Sequence, residues 1–345
     1  MLLLPNSHKQ FFTKKELYAY IRSSGFTIDD SLLEEFQKQG VMLPPQRRGK
    51  GRAKGVPGLW TRQQADLLRS LCMMREKHKI HQVAQRCNIP VWVWLYWGDE
   101  WGVTLDQVKR VMKTWAKHQR FPSQERSKQG AKVLVKKVAN HQDSGKQRAV
   151  SELTDMLYKG SYTSQAIGDS LYHMFDPTKP ANGPHDIPVL PESVGWYIEL
   201  LMETINTLVD DREMPSVHWE WACCFHLTTF SQYAKEQQRY AHETVGSPVE
   251  QMFSIETIES LWSSACENLA AVLGLGLRYP SVPGFPQELR LDVWKKQVKS
   301  ARVTSKQVIS PLLLLGGSHP MSLQIIETVT LRESNEDKPK FAERP

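Results

Sequence analysis

A chain of 345 residues, 40% hydrophobic and 23% charged, is long enough for two or three domains and apolar enough to bury a core, which excludes a disordered polyelectrolyte. Its five cysteines show no CxxC pair and no zinc spacing, and no stretch approaches the roughly 18 apolar residues of a membrane span. The expectation is a reduced, cytoplasmic protein without metal, cofactor or membrane contact.

The formal net charge of +7 is unevenly divided. Residues 1–150 hold 28 Lys and Arg against 12 Asp and Glu, whereas residues 151–345 hold 16 against 25. A basic front joined to an acidic back is the pattern of a polyanion-binding module carried by something else.

The first element is a short helix. Thr13 followed by Glu16 forms a capping box, in which the hydroxyl accepts from the third helical amide and the glutamate reaches back to the cap amide. Leu17 and Ile21 share a face, and Gly25 ends the helix. Thr27 with Asp30 opens a second helix, with Ile28, Leu32, Leu33 and Phe36 in a stripe and Gly40 as its stop.

The stretch PPQRRGKGRAKGVPGLW, residues 44–60, then sets five cations, Arg47, Arg48, Lys50, Arg52 and Lys54, among glycines with no acid. Its glycines and prolines keep it out of a helix, and Trp60 anchors its far end. Thr61 and Gln64 form another capping box, before a helix whose Ala65, Leu68, Leu71 and Cys72 face inward. IPVWVWLYWGDEWG, residues 89–102, crowds Trp92, Trp94, Tyr96, Trp97 and Trp101 together and reads as the hydrophobic anchor of this region. Thr104 and Gln107 open a further helix, with Val108, Val111, Met112 and Trp115 on one face.

Residues 119–150 are basic and mostly polar and read as a linker, with a helix in 131–140 left open. Beyond them, amphipathic helices are expected at about Pro191–Asp211, 216–240 and 254–273, with loops at 176–191 and 280–286. PLLLLGG (311–317) and LQIIETVTLRE (323–333) read as short strands, and 334–345 as a flexible tail.

FTKKELYAYIRSSGFT, LLEEFQKQGVMLPPQRR and GLWTRQQADLLRSLCMMREK follow one another as helix, helix, basic loop and helix. This ordered set resembles the MerR-like winged helix-turn-helix family, excisionases included, over about residues 11–85. The resemblance implies sequence-specific binding of double-stranded DNA, with the second helix in the major groove and the loop, as a wing, along the flanking backbone or minor groove.

Cations on a glycine-rich loop neutralise phosphates and release counterions. Lys14 and Lys15 stand in the first turn of the first helix, where helix amides can meet a phosphate, and Arg62 holds the matching place after the loop. With Lys38 on the second helix, these and Arg47, Arg48, Lys50, Arg52 and Lys54 are the candidate DNA contacts. The second helix departs from the family's pattern, because its exposed face carries Asp29, Asp30, Glu34 and Glu35, and carboxylates repel phosphates. Either it reads few bases and leaves specificity to wing and DNA shape, or the module keeps the fold without the binding.

Catalytic patterns are missing. His218, Glu220, His226, His242 and Glu243 fall in the acidic half without an HExxH or ExxH spacing, and Gly274 and Gly276 lack the preceding strand of a dinucleotide fingerprint. The expectation is therefore a mainly α, non-catalytic protein. A winged helix-turn-helix domain spans 1–118 and a basic linker 119–150. An acidic helical oligomerisation, partner or effector domain spans 151–333, with minor β structure near its C-terminus, before the tail at 334–345. The expected function is a transcriptional regulator that binds duplex DNA as a homo-oligomer. The alternatives are an excisionase-like accessory factor of a mobile element, or a scaffold whose basic front contacts RNA or an acidic partner.

Overall fold

A computed structural model describes residues 10–47, 58–119, 124–138, 145–159, 163–172, 191–243, 263–281, 284–286 and 290–315. The fold is mainly α-helical. It divides into two compact units whose segments interleave along the chain: 1–112, 223–266 and 290–345 in one, 113–222 and 267–289 in the other. Among the described residues no helix is long and apolar enough to cross a membrane.

The first unit begins with β1 (Phe11–Phe12), α1 (Lys14–Ser23), α2 (Asp30–Lys38), β2 (Gln46–Arg47), β3 (Gly58–Thr61) and α3 (Arg62–Lys77). Its strands form one antiparallel sheet in the order β1-β3-β2, with Phe12 opposite Trp60 and Arg47 opposite Gly58. The capping box of α1 is complete: the Glu16 amide donates to the Thr13 hydroxyl, and the Thr13 amide to the Glu16 carboxylate at 2.9 Å. The cap of α2 is Asp29 rather than Thr27. Its carboxylate accepts from the Leu32 amide at 2.7 Å, while the Thr27 amide and hydroxyl donate to Glu76 of α3. A carboxylate at a helix start gains from the helix dipole as well as the hydrogen bond.

Thr61 and Thr104 accept from the amides of Gln64 and Gln107, yet neither glutamine reaches back to complete a box. Both are buried, so their amides need partners inside the fold. The Gln64 side chain accepts from the Leu43 amide and donates to the Gly102 carbonyl and to Gln107. Gln107 donates in turn to the Val41 carbonyl. Together they tie the turn after α2 to α3 and to the start of α5 (Leu105–Gln119).

Between those helices run α4 (Val83–Tyr96) and a 3-10 turn at Gly98–Trp101. Every residue of α4 from Arg86 to Tyr96 is buried, so this helix must be covered on all sides. Part of the cover is distant in sequence, from α10 (Ser216–Glu243) and α12 (Leu291–Leu315). Asn88 donates to the Ser263 carbonyl at 2.7 Å and accepts from the Cys266 amide at 2.9 Å. Arg302 of α12 donates to the Trp94 and Leu95 carbonyls at 2.6 and 3.0 Å, meeting orphan acceptors at the end of α4. Gly98, at φ +58°, leaves room for that guanidinium, which a Cβ would strike.

The tryptophan-rich stretch is interior: Trp92, Trp94, Tyr96, Trp97 and Trp101 are each at most 5% exposed. Tyr96 meets Phe230 edge-on, and its hydroxyl lies 3.1 Å from the His226 Nε2. Burial pushes the His226 pKa down to about 4. The unfolded ring, titrating near 6.5, binds its proton more readily, so the stability that His226 contributes is present above about pH 6.5 and is lost as the pH falls toward 4. The expected loss by pH 4 is on the order of 2–3 kcal/mol, read as a falling urea midpoint, and His226→Gln should remove that part of the slope. Parallel wild-type and variant profiles across this range would show that the ring does not contribute.

The second unit contains the end of α5, α6 (Gln124–Val138), α7 (Lys146–Lys159), α8 (Ser164–Tyr172), α9 (Pro191–Val209), the start of α10, and most of α11 (Ala265–Arg278). The stretch expected as a linker is therefore largely helical. Ala131, Val135, Ala149 and Leu153 are buried, because these short apolar positions recur at helical spacing among the lysines. In α11 the paired glycines serve close packing rather than a phosphate: Gly274 rests on the Leu200 carbonyl, and Gly276 on Phe285 and Trp221. Thr204 donates to the Ala270 carbonyl at 2.7 Å, and the buried Glu199 pairs with Arg278.

One strand expectation is corrected. Residues 311–315 continue α12, since leucine, not branched at Cβ, favours a helix where Val, Ile or Thr would favour a strand. Residues 316–345, with the second expected strand and the tail, lie outside the described residues.

Candidate nucleic-acid interface

Arg47 is the last residue of β2 and pairs with Gly58 of β3, so the sheet holds the two ends of segment 48–57 side by side. Behind β3, the Trp60 indole N–H donates to the Leu43 carbonyl at 3.1 Å and its ring is buried. Gly58 is needed where it stands, because a Cβ there would overlap the Pro45 ring. Arg48, Lys50, Arg52 and Lys54 lie outside the described residues.

The other candidate contacts differ in their engagement. Lys15 and Lys38 are exposed. Lys14 is half-exposed and pairs with Asp30 at 2.7 Å, linking the first turns of α1 and α2. Arg62 is turned toward the body: its Nε lies 3.2 Å from both Asp66 oxygens, and its Nη2 donates to the Tyr20 hydroxyl. A guanidinium shared between a carboxylate and a phenol has less charge to offer a phosphate, so Arg62 acts here chiefly as a strut between α1 and α3.

Around that strut is a cluster that the sequence did not advertise. The Tyr20 hydroxyl donates to the buried Asp66 at 2.6 Å, and the Arg62 and Arg69 guanidinium groups lie 4.9 and 5.8 Å from the Tyr20 ring. Burial and then the Asp66 charge push the Tyr20 hydroxyl pKa up. Arg62, Asp66 and Arg69 share a face of α3 at i, i+4 and i+7, which was the available signal.

The carboxylates of α2 are largely spoken for. Asp29 caps the helix, and Lys14 and the Tyr18 hydroxyl hold the Asp30 carboxyl below its usual range. Partial burial opposes the charge on Glu35, but hydrogen bonds from Arg86 and Gln39 outweigh it and keep that carboxyl low. What α2 leaves outward is Ser31, Glu34 and Lys38.

Of the histidines considered as ligands, His218 and His226 make contacts with aromatic rings. The His218 ring lies 4.8 Å from that of Phe285 at a tilt of 43°, and the His226 ring meets Tyr96 edge-on. Glu220 is buried, and residues 242 and 243 have no described side chains. Comparison with protein-family models, curated proteins and solved structures finds nothing that matches this chain.

Proposed function

We propose that the chain is a non-catalytic, sequence-specific duplex-DNA-binding protein, a transcriptional regulator acting as a homo-oligomer. Its basic segment between β2 and β3 would run along the phosphate backbone as the wing of a winged helix-turn-helix. The observation that carries this reading is the pairing of Arg47 with Gly58, which closes a ten-residue segment holding four cations and no acid. Cations so close together repel, and a duplex with one phosphate charge per roughly 1.7 Å relieves that repulsion while releasing its counterions.

The ion pairs of Asp30 with Lys14 and of Glu35 with Arg86 also support it, because they offset much of the charge that would oppose approach of α2 to DNA. With few donors on its outer face, α2 reads few base edges. Specificity then rests on wing contacts and on the deformability of the duplex.

The test is capture of genomic fragments by the full chain at ~150 mM salt, followed by competition with bulk DNA. One or a few fragments should be retained on the order of 10³-fold or more over bulk. Equal retention of all fragments would reduce the protein to a non-specific polyanion binder, and retention of none would remove the reading. Fragments drawn from element termini rather than promoters would turn the regulator into a mobile-element accessory factor.

A further inference from the structure

The second unit carries a charged cleft that the wing does not account for. Beside the seam where α6 packs on α7 lies a cleft of about 830 Å3. Lys128 and Lys132, one turn apart on α6, and Lys146, the first residue of α7, all line it. Like charges at i, i+4 repel, and among the described residues none of the three lysines has an ion-pair partner. The carboxylates of the cleft do not cancel them. Asp155 is paired with Lys159 at 3.2 Å, which among the described lining residues leaves Glu125 against three ammonium groups.

We propose that this cleft binds phosphate oxyanions, with Lys128, Lys132 and Lys146 as the groups that hold them. Lysine is a mobile point charge with three donors and suits a tetrahedral oxyanion that can be met from several sides. Among the described residues no aromatic side chain lines the cleft, so a base or sugar ring has nothing there to stack on and recognition rests on the phosphates. The volume admits a free oligophosphate or a short run of nucleic-acid backbone. The site stands on residues other than those of the wing and does not depend on it.

The experiment uses the full chain and two probes, tripolyphosphate and a random-sequence duplex, the second titrated across salt concentrations. Wild type is compared with Lys128→Gln/Lys132→Gln/Lys146→Gln and with the charge-matched control Lys295→Gln/Lys296→Gln/Lys299→Gln, whose lysines are exposed on α12. It is also compared with a variant lacking the cations of 47–54.

In the cleft variant, tripolyphosphate binding should weaken at least tenfold, with the control and the wing variant unaffected. If the cleft variant also lowers the duplex salt slope by about 2.7, at ~0.9 per lost phosphate contact, the phosphates are those of nucleic acid. An unchanged slope makes a free oligophosphate the ligand. The proposal is overturned if the cleft variant changes neither titration, or if the control changes both as much, since net charge alone would then explain the result. A wing variant that loses duplex binding but keeps tripolyphosphate separates this site from the wing.

Discussion

Replacing Arg47, Arg48, Lys50, Arg52 and Lys54 together by alanine is expected to weaken duplex binding on every sequence tested and to flatten its salt dependence. Each cation that neutralises a phosphate contributes ~0.9 to the slope of log affinity against log salt, so the slope should fall by about 4 to 5. A slope difference of that size makes the wild-type advantage shrink by several hundredfold between ~50 and ~200 mM salt. Fold disruption would not produce this pattern, and the substitutions spare Gly58 and Trp60, which hold the hairpin to the body. Unchanged affinity and slope would place the DNA contact elsewhere on the protein.

The second large effect concerns the back of the chain. A fragment ending at residue 150 would contain every expected DNA contact, yet it should not fold. α4 is buried over its whole circumference, and the fragment lacks the groups that cover one side of it: His226 and Phe230 beside Tyr96, the backbone of 263–266 on Asn88, and Arg302 on the last carbonyls. Uncovering even three aromatic side chains forfeits roughly 1.5–3 kcal/mol apiece. The Asn88 amide and the last carbonyls of α4 would exchange their partners for water, at about 0.5–1.5 kcal/mol each. The sum rivals the ~5–15 kcal/mol that holds a typical domain together. The fragment should be aggregated or lack near-ultraviolet circular dichroism, while the full chain unfolds cooperatively. A cooperative transition in the fragment would show that residues 1–150 form a core of their own.

Local features were the legible ones. Thr13 and Glu16 specify their capping box because both partners lie within one turn. Leu17 with Ile21, and Leu32, Leu33 with Phe36, announce the buried faces of α1 and α2 by spacing alone. The buried tryptophans of 92–101 were readable as an anchor because rings of that size have few stable places outside a core. The basic segment was readable for the opposite reason, since five cations without an acid among them find no stable place in a core.

Where two local solutions competed, tertiary partners chose between them. Thr27 had the chemistry of a cap, but Glu76 of α3 took its amide and hydroxyl, and Asp29 served instead. Gln64 and Gln107 had the spacing of capping boxes, but burial directed their amides toward each other and the turn at 41–43. Arg62 had the place of a phosphate contact, and Asp66 with Tyr20 drew it inward.

The helical character of the chain, the position of α1 to α3 and the concentration of positive charge at residues 44–60 are written locally in the residues. It took packing between distant segments to show that residues 223–243, 263–266 and 290–315 complete the unit begun by α1 to α4, and that lysines of α6 and α7 converge on one cleft. Periodicity and capping act over three or four residues and are written in the order of the chain. The cover on an all-round apolar helix and the meeting of cations from two helices depend on groups brought together by folding, for which chain order carries no signal.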